Sequence, residues 1–82
     1  MQRTVYISWS EARDMVAERL RQWIESMPPA ERSLKLIWHR WLLSPYDMLV
    51  HVQRMDEIGK QIIVAELRKI SETTGINYVI SG

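Results

Sequence analysis

The chain has 82 residues, 46% of them hydrophobic and 26% charged, a composition that supports one folded core and excludes a disordered polypeptide. Eleven basic residues against ten acidic ones leave a net charge of +1, too little to create a long-range field for nucleic acid or anionic lipid. With no cysteine, disulfides, thiolate chemistry and cysteine-based zinc sites are all excluded. A single domain over residues 1–82 is expected, and a reducing, cytoplasmic setting fits this composition.

Residues 4–9 read T-V-Y-I-S-W, in which Val5, Ile7 and Trp9 alternate with Thr4, Tyr6 and Ser8 at the period of a half-buried strand. Ser10 then offers an N-cap, with Glu11 in the first turn of a helix over residues 11–27. Ala12, Met15, Val16, Leu20, Trp23, Ile24 and Met27 give that helix its apolar stripe. Glu11, Asp14, Glu18 and Glu25 gather opposite the stripe with Arg21, as a solvated face or an acidic docking surface.

Pro28-Pro29 ends the first helix, because a proline disfavours helical geometry in the residue before it. A second helix is expected over residues 30–43, opened by Pro29. On a helical wheel Leu34, Ile37, Trp38, Trp41 and Leu42 form its core face, while Leu36 and Leu43 project on the other side. Arg32, Lys35, His39 and Arg40 flank those two leucines. An apolar centre inside a basic rim is the pattern of a contact patch, the alternative being that the N-terminal segment covers it, and Arg32, Leu36, His39, Arg40 and Leu43 are the candidate partner-binding residues.

Residues 46–54 are ambiguous. Met48, Val50 and Val52 alternate as a strand does, yet Ser44-Pro45 also opens a helix well, and on that reading one helix would run on to residue 73. The strand is favoured, because Asp56 offers a fresh N-cap and Gly59 weakens a continuous helix. Residues 56–73 form a helix on either reading, stopped by Thr74-Gly75, and residues 76–81 close the chain as a strand. The third helix carries one apolar row at Ile58, Ile62 and Ala65 and another at Ile63, Leu67 and Ile70, with Val64 facing a third way. A helix apolar over so much of its circumference asks for cover on more than one side.

The expected fold is therefore α+β, in the order β-α-α-β-α-β, with three helices on a two- or three-stranded sheet. Residues 49–80 would form a right-handed βαβ crossover. The alternative is an all-helical bundle with short terminal strands.

The chemistry that motifs carry is sparse. His39 and His51 are far apart, no H-E-x-x-H occurs, and no glycine-rich phosphate loop or G-x-S-x-G elbow is present. A cluster of His51, Asp47 and Asp56 is conceivable, but no spacing rule fixes it. No catalytic residue, metal ligand or cofactor is expected. Residues 37–54 can be laid on a helix-turn-helix as a DNA- or RNA-binding alternative. The turn there lacks its usual glycine, and the reading face would offer Tyr46, Leu49 and Val50 rather than Arg, Asn or Gln. The expectation is thus a non-catalytic interaction module (an adaptor, inhibitor or regulatory subunit) that pairs with another protein or a second copy of itself. The longest purely apolar run, Ile62-Ile63-Val64-Ala65, is far too short to span a membrane.

Overall fold

The computed structural model describes residues 2–81. Strand β1 (Arg3–Ile7) leads into helix α1 (Trp9–Ser26), and a single 3-10 turn (Pro29–Glu31) follows. Strands β2 (Leu36–Trp38) and β3 (Trp41–Leu43) come next, then helices α2 (Pro45–Arg54) and α3 (Glu57–Thr74), and strand β4 (Ile76–Ile80). The fold is α+β with three helices, as expected. β1 and β4 pair in parallel, Arg3 beside Ile76 through Ile7 beside Ile80. β2 and β3 form a separate antiparallel hairpin.

Two expectations about the middle of the chain are corrected. Residues 30–43 are not a helix; past the 3-10 turn they hold the hairpin. Residues 46–54 are not a strand but helix α2, so the parallel partner of β4 is β1 rather than a strand near residue 49. The inward residues of α2 are Pro45, Met48 and Val52, a helical spacing of three and four that outweighs the alternation Met48-Val50-Val52. With residues 37–43 in strand and turn, the first helix of a helix-turn-helix over residues 37–54 is missing.

Side-chain caps set the helix starts. Ser8 and Glu11 form a reciprocal capping box at α1, two residues earlier than Ser10 implies, and Ser44 and Asp47 form another at α2. Asp56 caps α3 by accepting the Gly59 N–H at 2.8 Å. Between α2 and α3, Met55 takes a left-handed conformation with φ 50°, so the two helices are distinct rather than one. Gly59 lies where α3 crosses α2, and a side chain there would overlap the His51 carbonyl.

The core gathers Ile7 from β1, Ala12, Val16, Ala17 and Leu20 from α1, Leu43 from β3, Met48 and Val52 from α2, and Ile62, Ile63 and Leu67 from α3. Both apolar rows of α3 are thus used by the chain itself: Ile62 and Ile63 are fully enclosed, and Ile58 and Ile70 rest on the core. Val64 remains outside, 44% exposed. The apolar surplus expected on α3 lies elsewhere.

Candidate functional site

No residue from 25 to 42 is buried, although this arm contains Met27, Leu34, Leu36, Ile37, Trp38, Trp41 and Leu42. Its path starts at Pro28, which holds Met27 extended at φ −86° and ψ 152° and so stops α1. The last turn of α1 has no basic residue of its own. Arg32 supplies the cation from outside, donating from Nε to the Met27 carbonyl at 3.3 Å and from Nη2 to the Glu25 carbonyl at 3.2 Å. It thereby satisfies acceptors that a helix C-terminus leaves unpaired. Arg32 is a structural clamp, not part of a free basic rim.

In the hairpin Leu36 faces Leu43, Ile37 faces Leu42 and Trp38 faces Trp41. Opposed residues share a face, so Leu36, Trp38, Trp41 and Leu43 point one way and Ile37 and Leu42 the other. The two indoles stack with centroids 5.8 Å apart and planes 17° from parallel, and they rest against the core. Leu43, on the same face, is buried, so its assignment to an exposed contact patch is corrected. Burial follows from strand geometry, which turns Leu43 inward at the point where the chain enters α2. Leu36, its cross-strand partner, lies beyond the body and stays 63% exposed. On the outer face Ile37 is 78% exposed and Leu42 58%.

His39 and Arg40 form the two-residue turn. His39 adopts φ 54°, the sign that mirror-image hairpin turns require at their first central position and that glycine or asparagine usually supplies. Its ring meets the Trp38 indole edge-on at 4.2 Å, and the Arg40 guanidinium sits 5.2 Å from the Trp41 ring centre. Of the five candidate residues, the structure brings Leu36, His39 and Arg40 to the surface of one hairpin. It places Arg32 at the end of α1 and Leu43 inside.

Beside the hairpin runs a groove of about 880 Å³. One wall is α1 and its C-cap, with Leu20, Trp23 and Met27; the other is the arm beyond, with Leu34, Leu36 and Ile37; Pro45 and Met48 line it as well. Its one deep charge is Glu66 of α3, whose side chain is 11% exposed. That carboxylate accepts from Arg19 Nε at 2.9 Å and from Lys69 Nζ at 3.2 Å, so two cations surround one anion. No family model, no curated protein and no solved structure matches this chain.

The remaining polar cluster is occupied with holding helices. His51 Nδ1 lies 2.7 Å from Asp56 Oδ2, joining α2 to the start of α3. The Ser44 N–H donates to Asp47 at 2.9 Å and holds its carboxyl below the usual carboxylate range, helped by the Ser44 hydroxyl, Lys35 and His51 against the opposing effect of burial. Burial pushes the Asp56 carboxyl up, but the Gly59 N–H, the His51 ring and Arg54 outweigh it and hold this carboxyl low too. Asp47 stays at its cap and is not drawn into the His51–Asp56 pair.

Sequence reasoning missed Leu34, Ile37 and Leu42 as surface residues and assigned them to a helix core face. The signal was the pair of tryptophans flanking two residues, with apolar runs on both sides. His-Arg lacks the glycine or asparagine by which a hairpin turn is usually read.

Proposed function

We propose that this chain is a non-catalytic protein–protein interaction module, an adaptor, inhibitor or regulatory subunit of the cytoplasm, whose contact surface is made by the exposed apolar side chains of the arm. One observation carries the reading: Leu34, Leu36, Ile37 and Leu42 are each more than half exposed on one continuous segment that contributes nothing buried between residues 25 and 42. Scattered apolar residues are normal on a protein surface, but a cluster beside a groove is the signature of a contact site. Full burial of one such side chain is worth about 1.5–3 kcal/mol, so four of them form a substantial driving force for association. His39 and Arg40 at the tip, with Lys35 and Glu31 along the arm, supply the polar rim that sets orientation.

Urea unfolding of the double variant Ile37→Ser, Leu42→Ser tests this directly. Side chains that face a partner contribute little to the fold of the chain alone, so the unfolding free energy of dilute protein stays within about 0.5 kcal/mol of wild type. A loss above about 2 kcal/mol, the cost of truncating core leucines and isoleucines, makes the hairpin an internal support and removes the interaction reading.

A further inference from the structure

We propose that a second copy of this chain occupies the groove, in a two-fold pairing in which the Leu36–Ile37 ridge of each protomer seats between α1 and the arm of the other. This inference rests on the interaction reading above and assigns its partner.

The first argument is shape. A two-fold interface must be complementary to itself, with every protrusion matched by a recess on the same surface. Here the ridge is the wall of the recess: Ile37 stands 78% exposed at the groove that Trp23, Met27 and Leu34 also line. One rotation then places both ridges in both grooves.

Charge is arranged in the same sense. The arm side of the groove carries Glu31, whereas Arg19 and Lys69 exceed Glu66 by one positive charge on the opposite side. Two-fold pairing sets the Glu31 of each protomer toward the partner's cationic side, and complementary rims of this kind fix register. At a net charge of +1 the chain offers almost no long-range repulsion to its own copy.

The third argument is area. The chain exposes 5535 Å², against about 5,200 Å² for a compact monomer of its mass. Its radius of gyration is 13.1 Å, against about 11.7 Å for a compact chain of its length. A standard interface removes about 800 Å² from each partner, roughly a seventh of this surface, and the most exposed apolar side chains of the groove, Leu34, Leu36 and Ile37, all stand on the arm.

Sedimentation equilibrium of the full chain over a concentration series is the test. Wild type should change reversibly from monomer to dimer by tens of micromolar, within the range that standard-size interfaces span. Ile37→Glu should be monomeric throughout with an unchanged circular dichroism spectrum, and Leu36→Glu serves as a second variant should Ile37→Glu fail to fold. Glu31→Lys should weaken the dimer at least about tenfold, while Glu18→Lys, the same charge change on a part of α1 outside the groove, should leave it intact. A wild type that stays monomeric, a dimer that survives both ridge substitutions, or equal weakening by Glu31→Lys and Glu18→Lys overturns the proposal. A monomeric wild type combined with unchanged stability of Ile37→Ser, Leu42→Ser removes only the second copy. Monomer together with lost stability removes the interaction reading as well.

Discussion

Gly59 is the position where a single atom matters most. In an exposed helix interior, replacing glycine by alanine gains about 1 kcal/mol. At Gly59 the sign reverses, because the added carbon would overlap the His51 carbonyl of the crossing helix, and backbone cannot swing aside as a side chain can. Gly59→Ala should lower the unfolding free energy by about 2 kcal/mol or more in urea titration, and an unchanged or raised midpoint would contradict the close crossing of α2 and α3. Two carboxylates fix the acid response. Asp47 and Asp56 are both held below their ordinary values, so their contribution is fully present above the unfolded carboxylate pKa of about 3.9 and is lost as pH falls through the lower folded values. Stability should therefore hold level from neutral pH toward 5 and decline below about 4, with a shallower decline in the Asp47→Asn, Asp56→Asn variant. An equally steep decline in that variant would place the acid-sensitive groups elsewhere. Asp56 was legible as a cap from its place before an apolar helix. The close approach that requires Gly59 was not, since it depends on which helix crosses there.

At the scale of elements, legibility followed how local the determining signal is. α1, α3 and the terminal strands were readable because their periodicity and stops lie within the segment itself: Pro28, Thr74-Gly75, and residues 76–80, rich in β-branched and aromatic side chains. α2 announced itself through Ser44-Pro45-Tyr46-Asp47, a capping box with proline in the first turn, and this cap chemistry prevailed over a three-member alternation. The hairpin was the least legible element. Its apolar residues also satisfy helical spacing, and its turn puts histidine at a positive φ without glycine or asparagine. What holds it is tertiary: the stacked Trp38 and Trp41 lie on the core and Leu43 is inside it. The candidate patch was legible in part for the same reason. Leu36, His39 and Arg40 remain at the surface on either fold of the segment, whereas Leu43 and Arg32 change roles once the helix becomes a hairpin.

The whole molecule extends 41 Å along its longest axis and 24 and 20 Å across the others. Among the described residues no helix is long and apolar enough to cross a membrane. α3, which the sequence offered as the element most in need of a partner, is covered by α1, α2 and β4. The uncovered apolar area has moved to the arm, where Leu34, Leu36, Ile37 and Leu42 outnumber the lone Val64 on α3. Over residues 25–42 the segment is held to the core by partly buried side chains such as Trp38 and Trp41 rather than by fully buried ones, so it opens more readily than α3, which opens only with the core. Amide hydrogen exchange as a function of protein concentration measures this difference most directly. In dilute solution the amides of Leu36–Trp38 and Trp41–Leu43 should exchange orders of magnitude faster than those of Ile62 and Ile63, and should slow as concentration rises and a second surface covers them. Hairpin amides as protected at high dilution as those of Ile62 and Ile63 would mean that the chain holds its own arm and leaves nothing for a partner to cover.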